Sequence, residues 1–537
     1  MGRFRQKQSL FGIFTLGLTV FGGLEGAIAQ DFNTSIGDNG IQATTLHGDP
    51  YDLLGRKIAI GQVEIGRPGK FGLDKRAVWQ PQLGLSQLFF LNEKATPDDY
   101  VDDHAGMVAG IMVGQDKRQL GVAPEARLFS SAIGSTDDSA QPEECLATQH
   151  IARQNGGDVR AINFSFGESL SRDPRPNPAL DGNALLTQCL DWTARVYDVL
   201  HVVAGNQGNG GIPIPTDHYN GITTAYTTQF QGDTFNKIDF ANLSDLPVGS
   251  GSRLIRQEIN TGSRRAISLS APGSQLNLIT TFNKMDRVSG TSFAAPHITG
   301  TVALLQEFGD RQLKTQADQW SLDARRHEVM KAVLLNSADK IADAGDGKYL
   351  DMTRTILSKQ NRTWLEGDAY KNPDIPLDIE MGTGQLNAQR AYQQLAAGQW
   401  STAAPIPGQG WNYDKISTQG SQDYHFAMPL QRDSFVALTL TWDRWVDLND
   451  QNNNGLYDVG ESFTDRGLND LNLYLLPANS NNLNDAVCRS TSPVDSVEHI
   501  FCPVPQTGKY KMRVVYAEQA NQASQDYAIA WWTATAP

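Results

Sequence analysis

The 537-residue chain has little cysteine and no concentrated positive charge. It contains four Cys, and its 45 Lys and Arg residues are outnumbered by 59 Asp and Glu residues, which gives a formal net charge of −14. Because nucleic-acid binding depends on clustered Lys and Arg, this acidic chain without a basic run predicts no nucleic-acid partner. Hydrophobic residues at 40% and charged residues at 19% are typical of a globular protein and exclude a coiled coil or wholesale disorder.

The chain also lacks a long apolar run beyond its first 29 residues. Residues 1–29 have a basic start, an apolar middle and a small-residue end: Arg3, Arg5 and Lys7, then Leu10 to Phe21, then Ala27-Ile28-Ala29. The apolar stretch is short for a membrane span, and the pattern predicts a signal peptide cleaved before Gln30. The alternative is an uncleaved anchor. We therefore expect a secreted, periplasmic or otherwise extracellular protein with no membrane partner after cleavage.

The four cysteines fit an exported protein. Exported chains meet oxidising conditions, and four cysteines allow three pairings. We favour Cys145–Cys189 and Cys488–Cys502, because this pairing gives one bridge within each proposed domain. Free buried thiols are the alternative, and the spacing does not resemble a zinc site.

Two regions with different patterning follow the signal peptide. In residues 30–395, strand-like stretches such as 57–63, 161–164 and 201–204 alternate with helix-like stretches at 104–113, 293–306 and 328–338. This alternation predicts an α/β domain with a mostly parallel sheet and helices on both faces. Sites in such sheets gather at the carboxyl ends of the strands.

The pattern changes near residue 400. Residues 396–411 read as a linker, and residues 412–537 contain stretches in which apolar and polar residues alternate, for example around Leu438 to Trp442 and Tyr510 to Tyr516. A period of two is typical of strands with one buried face. We therefore predict a small antiparallel β-sandwich as the second domain.

Four segments carry residues suited to nucleophilic catalysis. Ser292 lies in the segment GTSFAAPH, where a helix begins, and a helix start supplies N–H groups for an oxyanion. His104 opens the close-packed segment HAGMVAGI and could take the proton of a hydroxyl. Asn206 lies in a Gly-rich loop after a strand, and Glu64 ends the first core strand.

These segments, in this order, resemble the subtilisin-like serine protease family over roughly residues 55–395. Further matching segments are Gly121-Val122-Ala123-Pro124, Asn163 to Gly167, Leu269 to Gly273 and Gly382 to Ala388. The resemblance implies a subtilisin-like fold and a serine endopeptidase that acts on polypeptide substrates without an organic cofactor. It assigns Ser292 as nucleophile, His104 as general base and Asn206 as oxyanion donor. Ser165, Phe166 and Gly167 resemble the segment that pairs with an extended substrate.

The acid of the catalytic triad departs from the family pattern. The family usually has Asp at the end of the first core strand, where this chain has Glu64. A carboxylate there must accept from the imidazole and stabilise its charged form, and Glu can do so with a side chain one methylene longer. Three interpretations stay open: Glu64 works as the third member, another acid such as Asp74 reaches His104, or the site is degenerate and slow. Asp102 and Asp103, which directly precede His104, are interpreted as solvated turn residues.

A loop in the second domain has the spacing of a calcium-binding loop. Residues 450–461 fit D-x-[DN]-x-[DN]-G-x5-E at every specified position. The ligands predicted for a structural calcium ion are Asp450, Asn452, Asn454, the Leu456 carbonyl, Asp458 and Glu461. A polar hairpin loop without a metal is the alternative.

The whole second domain resembles the P-domain-like or pre-peptidase C-terminal modules of secreted proteases. Two alternatives to the endopeptidase remain. One is a catalytically impaired relative that binds peptides, and the other is a transamidating relative that ligates them. The sequence defines no oligomeric state.

Overall fold

The computed structural model describes residues 34–68, 85–90, 93–94, 102–133, 141–205, 213–230, 234–240 and 264–536. The predicted signal peptide, Asp74 and Asn206 lie outside these ranges. Within them, no helix is long and apolar enough to cross a membrane.

The elements alternate as the sequence pattern predicts. The α-helices of the described residues are α1 (Ala43–His47), α2 (Asp103–Val113), α3 (Gln141–Ala152), α4 (Gln154–Gly157), α5 (Leu185–Tyr197), α6 (Thr291–Thr315), α7 (His327–Asn336), α8 (Asp368–Lys371) and α9 (Ala388–Ala396). Short 3-10 turns occupy Leu170–Arg172, Leu322–Arg325, Trp364–Glu366 and Leu483–Asp485.

The strands fall into two groups. Those of the first region are β1 (Ala59–Glu64), β2 (Leu85–Phe90), β3 (Glu93–Lys94), β4 (Gln115–Asp116), β5 (Gln119–Leu120), β6 (Arg127–Ala132), β7 (Val159–Phe164), β8 (Leu200–Ala204), β9 (Ile222–Phe230), β10 (Thr234–Phe240), β11 (Ile267–Pro272), β12 (Leu276–Ile279) and β13 (Met285–Val288). Those of the second are β14 (Gln409–Ser417), β15 (Ser421–His425), β16 (Phe435–Trp442), β17 (Val446–Asn449), β18 (Ser462–Asp465), β19 (Asp470–Pro477), β20 (Cys488–Ser490), β21 (Val497–Pro503), β22 (Tyr510–Glu518) and β23 (Ser524–Thr533).

The first region is built on one large sheet. Its strand order is β10-β9-β8-β7-β1-β6-β2-β3, and β11 also pairs with β9. The pairs from β2 to β9 along this path are parallel, and only the edge strands β10 and β3 run antiparallel. β1 lies in the middle, with all six residues buried.

Helices cover both faces of this sheet. On one face, Ile60 packs with Val108 of α2 and Ile298 of α6 in one apolar cluster. On the other, Val63 packs with Ile151 of α3 and with α5. Successive residues of β1 therefore point alternately to two buried layers. The predicted α/β class, with helices on both faces, is confirmed.

The second region is a β-sandwich of two antiparallel sheets, as predicted. One sheet has the order β14-β23-β16-β21 and the other β15-β22-β19-β20. Their facing residues form a second apolar core that includes Trp442, Met512 and Trp531. β17 and β18 form a separate hairpin whose loop holds residues 450–461.

The sandwich packs directly on the first region. Trp411, Val497 and Ala528 belong to the same apolar cluster as Val329 of α7. Trp411 lies at the end of the segment predicted as a linker and is fully buried, with its indole N–H donating to the Leu395 carbonyl. The outer face of the sandwich therefore contributes to the apolar core of the first region, while the core between its two sheets is separate.

Both disulfides have the pairing that the sequence favours. Cys145 of α3 is bonded to Cys189 of α5, which pack against each other, and Cys488 of β20 is bonded to Cys502 of β21. No described cysteine is free.

A buried imidazole joins the two regions electrostatically. His327 opens α7 with its Nδ1 2.9 Å from Asp198 and 3.2 Å from Glu328, and its Nε2 3.1 Å from Asp443 of the sandwich. Burial alone lowers the pKa of His327, but Asp443, Glu328 and the hydrogen bond to Asp198 outweigh it and raise that pKa well above its ordinary value. Burial also raises the pKa of Glu328, to about 7. Asp198, His327 and Glu328 form the one group of three or more acidic or imidazole side chains, among the described residues, whose atoms lie within 4.8 Å of one another.

This cluster predicts a loss of stability at alkaline pH. Both groups bind protons more tightly in the folded protein, so their contribution is full at low pH and falls as pH rises through the folded pKa. Glu328 loses its part between its ordinary value of 4.5 and about 7, and His327 loses its part above its ordinary value of 6.5. We expect the Tm of the wild type to fall more steeply than that of His327→Gln between about pH 6 and about pH 10. Equal slopes would contradict the prediction.

Candidate active site

The acid of the site ends the central strand. Glu64 is the last residue of β1, so its side chain emerges at the carboxyl edge of the sheet on the face covered by α2. It is fully buried, and its Oε2 accepts from the Ile65 backbone N–H at 3.3 Å. Within the described ranges, its Oε1 has no hydrogen-bond partner. The carboxylate is thus held inside the protein, facing the helix that follows.

The base lies at the start of that helix. His104 is the second residue of α2, and its Nδ1 is 3.3 Å from Glu64 Oε2. Its side chain is 35% exposed while that of Glu64 is 0% exposed, so one ring edge faces the acid and the other remains accessible. The structure therefore brings the side chain of Glu64 next to that of His104.

Electrostatics favours the charged imidazole. Burial lowers the pKa of His104, but the charge and hydrogen bond of Glu64 raise it, with a smaller contribution from Asp102, and the net direction is upward. A carboxylate that stabilises imidazolium in this way supports its formation when a proton is taken from a nucleophile.

The nucleophile opens the long helix α6. Ser292 is its second residue, 7% exposed, and no side chain caps this helix start within the described residues. The N–H groups of the first turn and the positive end of the helix dipole are therefore available to a developing anion. The neighbouring Phe293 ring lies 5.4 Å from the His104 ring, centroid to centroid, which places the imidazole beside the start of α6.

The Ser292 hydroxyl does not point at His104 in this structure. Its Oγ donates to the Ser165 carbonyl at 3.0 Å, and the hydrogen bonds of the described residues include none from Ser292 to His104. A rotation about the Cα–Cβ bond redirects the hydroxyl without moving the backbone. Such bonds are often long or misaligned in enzymes without substrate and tighten when it binds.

The segment before Asn206 is tied to the nucleophile helix. The Thr291 hydroxyl donates to the Gly205 carbonyl at 2.6 Å, so the residue preceding Asn206 is fixed next to the residue preceding Ser292. Asn206 itself lies outside the described residues, and its assignment as oxyanion donor stays a prediction.

The predicted substrate segment leaves β7 beside the nucleophile. Ser165, Phe166 and Gly167 are buried, and the Ser165 Oγ donates to the Ser292 carbonyl at 2.7 Å. With the bond from Ser292 Oγ to the Ser165 carbonyl, two hydrogen bonds hold this segment against the start of α6. Pairing with an extended substrate stays a prediction.

Three residues near the site have structural roles. Asp102, which the sequence suggested was a solvated turn residue, instead caps α2 by accepting from the Ala105 N–H at 2.8 Å. Asp103, given the same interpretation, accepts from the Thr281 N–H at 2.6 Å. An Asp directly before an apolar helix pattern is the signal that predicts such a cap. His297 is buried, with its Nδ1 2.8 Å from the Phe293 carbonyl and its Nε2 2.7 Å from the Ser35 hydroxyl.

The predicted calcium loop brings its side chains together. Asp450 Oδ2 accepts from the Gly455 N–H at 2.7 Å, and Gly455 has a φ of 75°. Asp458 Oδ2 accepts from the Asn452 and Asn454 amides at 2.7 and 2.8 Å. Glu461 is held by the backbone N–H groups of Gln451 and Asp458. This set of hard oxygen donors fits calcium chemically.

The carboxylates of this loop do not converge closely on a single point. The carboxylates of Asp450, Asp458 and Glu461 are not among the described groups whose atoms lie within 4.8 Å of one another. The predicted ligands are therefore neighbours in one loop, and a bound cation would have to bring them closer.

Comparisons with known proteins show similarity to serine proteases. The model of the subtilase family matches residues 90–356, a range that includes His104 and Ser292 and begins after Glu64. The chain is 23% identical over 259 residues to thermitase from Thermoactinomyces vulgaris, covering 48% of this chain and 74% of that protein. It is 26% identical over 272 residues to subtilisin Savinase from Lederbergia lenta, covering 50% of this chain and 82% of that protein.

Two further proteins show similarity to this chain. C5a peptidase from Streptococcus pyogenes is 24% identical over 242 residues, which is 42% of this chain and 20% of that protein. Among solved structures, the prenylagaramide maturation protease PagA aligns with a TM-score of 0.39 and 20% identity, covering 69% of this chain and 97% of that chain.

Proposed function

Because residues 90–356 place this protein in the subtilase family of serine proteases, we propose that it is an exported endopeptidase that uses Glu64 in place of the usual Asp. The observation that carries the proposal is the contact between Glu64 and His104 next to the start of α6. Export is supported by the signal-peptide pattern of residues 1–29 and by the two disulfides.

The reaction proceeds through an acyl-enzyme. The Ser292 Oγ attacks the scissile carbonyl while His104 takes the hydroxyl proton, and Glu64 stabilises the imidazolium that forms. The oxyanion is bound by the Ser292 backbone N–H at the start of α6 and by Asn206. His104 then gives its proton to the leaving amine. In the second half of the reaction, His104 takes a proton from water, which attacks the acyl-enzyme, and returns that proton to the Ser292 Oγ.

The polypeptide substrate is proposed to lie along residues 165–167 in an extended conformation. Main-chain pairing of this kind accepts most unfolded sequences, so we expect broad substrates such as casein to be cleaved.

Product mass tests the reaction and its alternatives together. Incubation with casein peptides should give fragments that carry one added water per cleaved bond, and the activity should disappear in Ser292→Ala. Joined fragments without added water would support the transamidating alternative. Peptides bound but left intact by the folded wild type would support the impaired, peptide-binding alternative.

We propose that calcium stabilises the β17–β18 hairpin through Asp450, Asn452, Asn454, the Leu456 carbonyl, Asp458 and Glu461. A cation that binds only the folded loop raises stability by mass action. We expect millimolar CaCl2 to raise the Tm of the EDTA-treated wild type. The matched variant Glu461→Gln should show no rise, while Glu125→Gln, an exposed carboxylate elsewhere, should behave as the wild type. An equal rise in Glu461→Gln would remove the site.

A further inference from the structure

The central strand carries a buried amide that packing does not require. Gln62 is fully buried in β1, between β6 and β7. Its Nε2 donates to the Ala105 carbonyl at 3.0 Å, but its Oε1 has no hydrogen-bond partner among the described residues. An unpaired buried acceptor destabilises the folded protein, and an apolar residue of similar volume would avoid that cost.

Polar neighbours extend this anomaly across the sheet. In the strand register Gln62 is aligned with Ser130 of β6 and Asn163 of β7, so the three side chains share the face covered by α2 and α6. All three are fully buried, and in the part of the chain that the structure describes Ser130 Oγ and Asn163 Oδ1 also lack hydrogen-bond partners. Asn163 donates to Ser165 Oγ at 2.8 Å, which in turn holds the Ser292 carbonyl. These three polar side chains therefore form a buried row that lies next to the catalytic groups.

The side chains of Gln62 and Glu64 have equal lengths. They are two residues apart in one strand and point to the same face. Gln62 reaches the carbonyl of Ala105, and Glu64 reaches the imidazole of the preceding residue, His104. Both side chains have the same carbon skeleton, so together they set one spacing between β1 and the first turn of α2.

We propose that Gln62 is a positioning residue, which holds the start of α2 at the distance that the longer Glu64 side chain needs to orient His104. The inference rests on the proposed function for its catalytic meaning. An acid with a shorter side chain would reach His104 only if α2 lay closer to β1. The side chain of Gln62 prevents that approach, and its hydrogen bond to the Ala105 carbonyl keeps the helix from moving away.

Kinetics provides the first test. Gln62→Leu keeps the volume and removes the amide, and we expect kcat to fall about tenfold with KM within about twofold, because misplaced catalytic groups lower turnover rather than binding. Ser130→Ala is the matched control, since it alters the same buried face but removes a hydroxyl without a partner, and its kcat should equal that of the wild type. An unchanged kcat in folded Gln62→Leu would overturn the proposal.

The imidazole pKa provides a second test that needs no activity. In the inert Ser292→Ala background, NMR titration should show a lower His104 pKa after Gln62→Leu, because the contact that raises it is loosened, and an unchanged one after Ser130→Ala. A His104 pKa that does not respond to Gln62→Leu contradicts the inference. If the wild type cleaves nothing while this shift is observed, the proposed function fails and the positioning role stands.

Should Gln62→Leu fail to fold, shortening the side chains at positions 62 and 64 keeps the proposal testable. Gln62→Asn and Glu64→Asp each remove one methylene. Each variant alone is expected to lower kcat, because the side chains at positions 62 and 64 then differ in length. The double variant restores equal lengths, so its kcat should exceed the value obtained by multiplying the two single effects. Simple multiplication of the effects would show that the residues act independently and would overturn the proposal.

Discussion

Replacing Glu64 with Gln is expected to lower kcat by about 10³–10⁴-fold, because a neutral amide at this position no longer stabilises the imidazolium or fixes its tautomer. Glu64 is fully buried against His104, so solvent cannot replace its charge. The volume of the site is unchanged, so the loss is expected in turnover with little change in KM. Steady-state kinetics on a peptide substrate measures it.

The pH profile separates this effect from general damage. Glu64 raises the pKa of His104, and His104 must be neutral to act as base. The acidic limb of kcat/KM should therefore move to lower pH in Glu64→Gln. The surface variant Glu125→Gln should leave both kcat and the acidic limb unchanged. Unaltered kinetics in Glu64→Gln would show that another acid, such as Asp74, orients His104.

Replacing Arg444 with Ala is expected to lower the free energy of unfolding by about 3–5 kcal/mol, because it leaves a buried carboxylate without its charged partner. Arg444 of the sandwich is 2% exposed and lies 2.9 Å from Asp191 of α5, which is 0% exposed. It also donates to the Gly182 carbonyl at 2.7 Å and covers the Tyr219 ring. Urea denaturation monitored by Trp fluorescence measures the loss.

A surface pair provides the matched control. Arg466 lies 2.8 Å from Asp447 in the same part of the sandwich, but its side chain is 56% exposed. Exposed ion pairs contribute about 0–1 kcal/mol, so Arg466→Ala should change stability little. Comparable losses in both variants would contradict the account in which burial of the Arg444–Asp191 pair joins the two regions.

Much of this fold follows from local patterning. The predicted helix over 104–113 is α2, and the strand expected over 57–63 is β1, displaced by one or two residues. The alternation of apolar and polar residues predicted the sandwich, because the apolar face of each strand lines the core between the two sheets. β16 departs from the pattern, since all eight of its residues are buried. The segment GTSFAAPH located Ser292 at a helix start because flexible or small residues, Gly290 and Thr291, directly precede it.

The interactions that depend on distant parts of the chain could not be predicted. Asp102 and Asp103 were expected to be solvated, yet one caps α2 and the other binds Thr281, a partner that only the tertiary fold brings near. The buried junction of His327, Asp443 and Arg444 joins two regions whose contact has no local pattern. Gln62 was overlooked because one polar residue in an apolar strand shows its partner only once α2 is placed.

The direct measurement of the central claim is covalent labelling of the nucleophile by a fluorophosphonate probe, followed by intact-mass analysis and peptide mapping. The account predicts one added probe group on Ser292 in the wild type and in Ser289→Ala, a neighbouring hydroxyl in the same segment. It predicts none in Ser292→Ala. A folded wild type that remains unlabelled, or that carries the probe on another residue, would contradict the account.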